Sequence, residues 1–306
     1  MTYMKDFYHY FKVLFLLLFF SSYSSNASTE KITVIYPDVS SPYDQIFSQI
    51  INGIESELDN DVIQLKLPRS FNKNEVIQSI STQQVIALGK RGLSIAREVY
   101  KEKSVVIGAL PIAPNVISGV SLRASPKALF DSLHQLAPQV KSVTVLYSTS
   151  SAWIIDYAKV EAKKRGLVLN AISVENLKSA VTTYNNLFEN NKSENMAIWL
   201  PLDPITANEK IIIPKILEKA WEKKIVVFSS KPTHAKRGAL FSALPDNETL
   251  GKQLAGLIKS ISHKKSVSIV KPLNTIKLAV NLRTAAHLGY SYQPSEISKF
   301  TLTFPK

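Results

Sequence analysis

The chain has 306 residues, of which 45% are hydrophobic and 20% charged, and it contains no cysteine. This composition is typical of a protein with a buried core, and it excludes disulfide bonds, thiol catalysis and a lipid attached to cysteine. The formal net charge of +13 makes the chain strongly basic.

Residues 1–27 have the pattern of a secretory signal peptide. Two lysines lead into the apolar run 13–20, and small residues follow at 25–27. The apolar run is short, whereas about 20 apolar residues are needed to cross a bilayer as a helix, so a retained membrane anchor is the weaker alternative. We predict cleavage near Ala27 and a mature protein in the periplasm.

Short β-branched runs alternate with helical patterns from residue 31 onward, which is typical of βαβ units and a parallel sheet. Ile46, Ile50, Ile54 and Leu58 recur every four residues and predict one buried stripe of a helix. The predicted elements of this half are the strands 32–36, 62–67, 84–88 and 104–110 and the helices 43–58, 72–80 and 89–100.

The same alternation starts again after residue 122, where Gly166 provides the expected left-handed end of a helix. The strands predicted for this half are 143–147, 167–174, 196–200, 225–228, 239–243 and 278–281. The predicted helices are 127–136, 152–165, 180–189, 208–223, 250–261 and 283–288.

Two successive α/β halves are followed by further strands and helices near the C-terminus. This order indicates two Rossmann-like lobes and a chain that crosses between them several times. The predicted crossings lie near residues 119–125, 243–247 and 272–277. The predicted N-terminal lobe comprises 28–121 plus 244–273, and the predicted C-terminal lobe comprises 122–243 plus 274–306. In such a topology the ligand cleft lies between the carboxyl ends of both sheets.

Several short segments, in this order and spacing, extend over residues 32–292. They are 85–89 (VIALG), 114–121 (PNVISGVS), 136–143 (LAPQVKSV), 202–204 (LDP), 237–240 (RGAL), 250–255 (LGKQLA), 280–282 (VNL) and 286–289 (AHLG). With them the chain resembles the periplasmic substrate-binding proteins of ABC transporters, specifically the tryptophan/tyrosine-type branch. The resemblance implies a type I periplasmic-binding-protein architecture that closes on a small molecule, often an aromatic or aliphatic amino acid.

Two positions depart from the pattern of that family. Lys90 and Arg91 follow the third strand, where such proteins usually have small hydroxyl residues or alanine. Leu110 and Pro111 replace an Asp-Pro pair that is common after the fourth strand. Lys90 and Arg91 therefore either form an anion-binding wall of the cleft or point outward.

Loops before helices supply the predicted ligand-binding residues, because helix N-termini offer donors for a carboxylate. In the first lobe these residues are Ser40, Ser41, Tyr43, Gly89 and Lys90. Ser40 and Ser41 have an alternative role as an ordinary helix N-cap. Tyr43 either stacks on a planar ligand or fills a gap in the core or between the lobes.

In the second lobe a hydroxyl-rich run precedes a predicted helix and is expected to hold a carboxylate. The run consists of Ser148, Thr149, Ser150 and Ser151. Asp203 is expected to pair with an ammonium group, or alternatively to begin a helix.

Further second-lobe residues have two interpretations each. Asp246 faces either the ligand or the N-terminus of the next helix as its cap. Ser229 and Ser230 line the cleft or lie in a solvated loop. Trp153, like Tyr43, either stacks on the ligand or packs in the core.

The sequence does not indicate an enzyme. The histidines that follow the leader, which have no metal-binding spacing and are expected to be solvated, are His134, His234, His263 and His287. The chain has no G-x-S-x-G elbow, no phosphate-binding G-x-x-x-x-G-K loop and no G-x-G-x-x-G fingerprint. We therefore predict no catalytic residue and no cofactor.

These observations predict an extracytoplasmic solute-binding protein. It would capture a small polar molecule, an amino acid or a similar zwitterion, by hinge closure and deliver it to an ABC permease. The alternative is a ligand-sensing module that presents its closed form to a membrane signalling protein. We expect a monomer. We also expect no nucleic-acid partner, because the lysines are spread over the solvent faces of helices.

Overall fold

The computed structural model describes residues 31–58, 62–190, 195–261 and 268–305. The predicted signal peptide and His263 lie outside the described residues. The segment Lys31–Lys306 forms one compact unit that contains two β-sheets. Nearly all strand pairs in these sheets are parallel, which confirms the predicted α/β class with type I periplasmic-binding-protein architecture.

The first sheet is built mainly from the N-terminal part of the chain. Its strands are β1 (Ile32–Pro37), β2 (Val62–Leu67), β3 (Gln84–Leu88), β4 (Ser104–Leu110), β5 (Ser118–Ala124) and β11 (Val270–Leu273). They lie in the order β2-β1-β3-β4-β5-β11, and every pair is parallel. Val34, Ile35 and Ile86 are fully buried, as expected for a parallel sheet covered on both faces.

The second sheet is built from the middle of the chain and its C-terminal part. Its strands are β6 (Ser142–Tyr147), β7 (Val168–Ser173), β8 (Met196–Leu200), β9 (Val226–Ser229), β10 (Phe241–Pro245), β12 (Ile276–Asn281) and β13 (Leu302–Phe304). They lie in the order β7-β6-β8-β9-β10-β12-β13, and only the pair β10 and β12 is antiparallel among the described strands. All five residues of β8 are buried, which places this strand in the centre of the sheet.

Helices connect the strands. They are α1 (Tyr43–Glu57), α2 (Lys73–Ser79), α3 (Gly89–Val99), α4 (Pro126–Leu136), α5 (Ala152–Lys164), α6 (Leu177–Asn190), α7 (Ile212–Glu222), α8 (Asn247–Ser260), α9 (Leu282–His287) and α10 (Pro294–Ile297). The predicted stripe of α1 is buried at Ile50, Ile54 and Leu58, whereas Ile46 is 39% exposed at its edge.

Helix α8 follows a strand of the second sheet but packs on the first sheet, against α1. The two helices touch through backbone. A methyl group at Gly251 would lie 2.0 Å from the Ile50 carbonyl oxygen, and one at Gly53 would lie 2.0 Å from the Glu248 carbonyl oxygen. Glycine is therefore required at both positions for this close approach.

The chain passes between the sheets at three places. It leaves the first sheet after β5, returns to it after β10 with α8, and leaves it again between β11 and β12. The first sheet extends to Ala124 and the second to Pro245, past the predicted lobe boundaries at residues 121 and 243. The division into two lobes that move separately stays a prediction.

Three strands are absent from the sequence prediction, and one of them, β5, lies largely within the predicted crossing 119–125. β11 contains Pro272, and a proline lowers the expectation of a strand because it cannot donate a hydrogen bond to a neighbour. β11 is an edge strand, where proline is tolerated. β13 has only three residues and shows no readable alternation.

Candidate functional site

A cavity of about 570 Å³ lies at the carboxyl ends of strands from both sheets. Pro111, just after β4, and Arg123, in β5, line it from the first sheet. The segments 201–204 and 207–210, which follow β8, and Lys231, which follows β9, line it from the second sheet. The cavity therefore lies at the edge where type I architectures bring their loops together.

Arg123, in β5 of the first sheet, forms hydrogen bonds with residues of the second-sheet side. Its side chain is buried, with the residue only 8% exposed, and its Nη1 donates to Ser151 Oγ at 3.0 Å and to the carbonyl oxygen of Leu202. Its Nε has no hydrogen-bond partner among the described residues. Burial lowers the pKa of Arg123 and the charge of Asp203 opposes this, but a guanidinium stays protonated at any physiological pH.

Asp203 is 3% exposed and follows β8. Its Oδ2 accepts from the N–H and the hydroxyl of Ser148 at 2.9 and 2.7 Å, and its Oδ1 accepts from the N–H groups of Ile205 and Thr206 at 2.9 and 3.0 Å. Burial raises the pKa of Asp203, but these hydrogen bonds and one from Ser151 outweigh it and hold the pKa below its ordinary value. Asp203 is thus an ionised residue that fixes the loop between β8 and α7.

The hydroxyl run after β6 divides into an inner and an outer pair. Ser148 and Ser151 are buried, and they bind Asp203 and Arg123 respectively. Thr149 and Ser150 are exposed, and the Ser150 hydroxyl lies 2.9 Å from the Ser148 hydroxyl. Three of the four hydroxyls therefore have partners in the protein, and a ligand role for the run stays a prediction.

Glu209 forms an ionic cluster at the border of the cavity. Its Oε1 lies 2.5 Å from Lys231 Nζ and 2.9 Å from His234 Nε2, and its Oε2 lies 2.5 Å from Arg237 Nη1. Burial raises the pKa of Glu209, but the hydrogen bonds from Lys231 and His234 outweigh it and lower the pKa. Glu209 therefore stays ionised and is neutralised by protein cations.

His234 is buried, which corrects the expectation that it is solvated. Ser229, the last residue of β9, and Ser230 are also buried, so the solvated-loop alternative for these serines is wrong. His234 is 0% exposed, and its Nδ1 lies 2.7 Å from Ser229 Oγ. Burial lowers the pKa of His234 despite its contact with Glu209. Ser230 Oγ accepts from Trp199 Nε1 at 2.9 Å. These residues support the wall of the site from behind.

The predicted residues at the start of α1 lie on the surface. Ser40 and Ser41 are exposed and Tyr43 is 65% exposed. Pro42 occupies the N-cap position without a side-chain hydrogen bond, so the N-cap alternative for Ser40 and Ser41 is wrong. The Ser41–Pro42 peptide is cis.

The predicted residues at the start of α3 serve different purposes. Gly89 is buried with φ +69°, and a Cβ there would contact the ring of Phe47 at 3.5 Å. Lys90 is exposed, whereas Arg91 donates to the carbonyl oxygens of Asp38 and Leu67. None of the five ligand-binding residues predicted for the first lobe is among those that line the cavity.

Two other predicted residues have structural partners. The Asp246 side chain accepts from Thr249 N–H at 3.1 Å, which confirms its alternative role as the N-cap of α8. Trp153 packs against the core of the second sheet and edge-on to Tyr157, with ring centroids 5.9 Å apart. Its Nε1 has no hydrogen-bond partner in the described part of the chain.

The residues that sequence reasoning missed are Arg123, Glu209, Lys210 and Lys231. Arg123 lies within the predicted crossing 119–125 and is the only charged residue of that segment. Within the described ranges, no group of three or more His, Asp or Glu side chains could hold a metal ion. None of the described helices is long and apolar enough to cross a membrane.

Comparison with known proteins identifies the family. Residues 72–301, more than half of the chain, match the model of the ABC transporter substrate binding proteins. The search of curated proteins found no match.

Two solved structures share the fold. One is the ABC domain in complex with L-Trp from Streptococcus pneumonia, with 20% identity, a TM-score of 0.50 and coverage of 90% of this chain and 100% of that one. The other is the ligand-free, open structure of CD0873, a substrate binding protein with adhesive properties from Clostridium difficile. Its identity is 18% and its TM-score 0.56, over 90% of this chain and 99% of that one. The family match confirms the resemblance seen in the sequence, and the chain belongs to the ABC transporter substrate binding proteins.

Proposed function

We propose that the protein is an extracytoplasmic solute-binding protein that captures a small polar molecule between two lobes and delivers it to an ABC permease. The observation that carries the proposal is the cavity of about 570 Å³ between the carboxyl ends of the two sheets. Its volume lies within the range of about 300–1,000 Å³ that is usual for small-molecule sites.

The lobes that we propose follow the two sheets. The first comprises residues 31–124 and 246–273, and the second comprises 125–245 and 274–305. Three connections between them would act together as a hinge, since a few residues at the ends of elements can absorb the rotation. Ligand would stabilise the closed form because it contacts both lobes only in that form.

Binding without turnover is supported by the state of the acidic groups. A general base needs a free lone pair near the substrate. Both oxygens of Asp203 accept hydrogen bonds from the protein, and both oxygens of Glu209 are paired with cations. The family itself is described by substrate binding.

An amino acid or a similar zwitterion is our first choice of ligand. The cavity wall carries both signs of charge. Its cationic residues are Arg123, Lys210 and Lys231, and its anionic residues are Asp203 and Glu209. The structural relative from Streptococcus pneumonia holds L-Trp. A polar solute with an anionic and a cationic group suits such a wall better than an apolar one.

A thermal-shift screen of the mature chain tests the proposal. The panel contains the standard amino acids, simple sugars, polyamines and small organic acids. We expect one chemical class to raise the melting temperature, since a ligand at 100 times its Kd adds about 2.7 kcal/mol to the free energy of unfolding. A panel without any stabilising compound would contradict solute binding.

The partner is tested separately with the solute that the screen identifies. We expect the loaded protein to stimulate ATP hydrolysis by an ABC permease of the same cell in proteoliposomes, and the unloaded protein to stimulate it less. Activation of a membrane signalling protein in place of the permease would favour the sensory alternative.

A further inference from the structure

We propose that Arg123 binds an anionic group of the solute, so that the ligands of this protein are organic molecules with a carboxylate. The inference rests on the proposed function and names the ligand class of the same cavity. It assigns the recognition of charge to a strand of the first sheet and not to the hydroxyl run after β6.

The first argument is the position of Arg123. In the described ranges it is the only arginine or lysine that is buried. It occupies β5 between apolar residues, and yet its side chain reaches the cavity. A buried cation needs an acceptor or a counter-charge to replace the water that it has lost.

The second argument is the number of acceptors that the protein supplies. Within the described chain, Nη1 has two acceptors, Ser151 Oγ and the Leu202 carbonyl oxygen, whereas Nε has none. Both acceptors are neutral groups. Nε is shielded from the cavity, but Arg123 lines it, so a ligand oxygen would bind the edge of the guanidinium that faces the cavity. A carboxylate is the anion whose planar shape suits a guanidinium.

The third argument is the charge balance of the cavity wall. Among the described residues, no carboxylate lies within 4.0 Å of the Arg123 guanidinium. Asp203 is the nearest candidate, but its oxygens are directed to Ser148, Ile205 and Thr206. Glu209 is shared by the cations Lys231 and Arg237 and by His234. Arg123 therefore feels the charge of Asp203 but forms no direct ion pair with it, and a ligand carboxylate would supply one.

The size of the cavity separates an organic acid from an inorganic anion. A volume of about 570 Å³ is much larger than a phosphate or sulfate ion requires. The ligand would place its carboxylate on Arg123 and extend the rest of its structure along the loop 201–210.

The test compares matched ligands on the unaltered mature protein. Each acid that stabilises the protein is paired with its carboxamide and with its decarboxylated amine, for example L-tryptophan with tryptophanamide and tryptamine. Titration calorimetry gives the affinities of all three compounds. We expect the acid to bind at least about tenfold more tightly than either partner.

Variants then identify the residue that is responsible. Arg123→Gln should raise the Kd of the acid by about a hundredfold, and Arg123→Lys by about tenfold, because lysine keeps the charge but loses the fork. Arg91→Gln is the matched control, since Arg91 binds backbone carbonyls outside the cavity, and it should leave the Kd unchanged. Circular dichroism without ligand confirms that each variant is folded.

Each outcome decides one question. Equal binding of acid and amide, an unchanged Kd in folded Arg123→Gln, or a site filled only by inorganic phosphate would overturn the carboxylate proposal and leave solute binding intact. If Arg123→Gln does not fold, the comparison of acid and amide on the unaltered protein still decides. A protein that binds no compound would reject the proposed function itself.

Discussion

The two sides of the cavity are built differently. On the second-sheet side, Asp203, Glu209 and His234 are held by hydrogen bonds that fix them before any ligand arrives. On the first-sheet side, Pro111 and Arg123 line the cavity, whereas the exposed residues Ser41 and Lys90 do not. A fixed wall favours binding because less side-chain entropy is lost when the ligand arrives. We infer that the second side provides a preformed wall and the first side contributes mainly Arg123.

The largest effect is expected when the fixed wall loses its central acceptor. Asp203→Ala leaves the N–H groups of Ser148, Ile205 and Thr206 without their acceptor. The free energy of unfolding should fall by about 3 kcal/mol or more, because an unsatisfied buried donor costs about 1–3 kcal/mol. Chemical denaturation followed by circular dichroism measures the change.

Asp246→Ala is the matched control, since Asp246 also accepts a backbone N–H but at a partly exposed helix N-terminus. Asp246→Ala should lower the free energy of unfolding by about 1 kcal/mol. Equal losses for the two variants would mean that the wall is no more rigid than an ordinary cap.

The next prediction concerns the packing of α1 on α8, two helices that cover the first sheet. Gly251→Ala places a methyl group 2.0 Å from the Ile50 carbonyl oxygen and forces α1 and α8 apart. We expect a loss of about 2–3 kcal/mol in the free energy of unfolding. Gly256→Ala in the same helix meets no atom within 4 Å and should stabilise the protein by about 0.5–1 kcal/mol. An unchanged free energy of unfolding in Gly251→Ala would show that the packing of α1 on α8 is loose.

The fold was largely predictable because its signals are local. Alternating β-branched runs and apolar stripes placed both sheets and most helices, and the stripe of α8 was recognised from Leu250, Leu254 and Ile258. The site was less predictable. The direction of a side chain from a strand depends on register and neighbours, so Arg123 could not be distinguished from a surface arginine.

Sequence reasoning also assigned ligand roles to serines that have protein partners. Ser229 binds His234 and Ser230 binds Trp199, residues that are 5 and 31 positions away in the chain. Such long-range partners are fixed by the packing of β8 and β9 and leave no local pattern. The exposed residues Ser40, Ser41 and Lys90 have no contact with the cavity, and their ligand role stays a prediction.

The pH dependence of stability tests the buried histidine of the fixed wall. The pKa of His234 is lowered in the folded state, so below about pH 6.5 the unfolded chain binds a proton that the folded chain does not. The free energy of unfolding should therefore fall as the pH drops below about 6.5, by up to about 1.4 kcal/mol per pH unit, until the lowered pKa is reached.

Urea midpoints between about pH 7.5 and pH 5 measure this loss. His234→Gln should flatten the curve, whereas His134→Gln, at an exposed position, should leave it unchanged. The same slope in His234→Gln and in the unaltered protein would contradict the assignment.

The smallest effect is expected on the exposed side. Lys90→Ala should change the free energy of unfolding by less than about 0.5 kcal/mol, because the side chain is exposed. Its ligand Kd should also stay the same if the described cavity is the whole site. A large loss of affinity in Lys90→Ala would extend the site along the first sheet, as the sequence prediction has it.

The closure of two lobes on one solute is tested most directly by a distance across the cavity. The chain has no cysteine, so spin labels at Gln45→Cys in α1 and Asp156→Cys in α5, both exposed, would be unique. We predict that the distance between the labels shortens and its distribution narrows when a stabilising solute is added. Binding of that solute with an unchanged distance would contradict hinge closure.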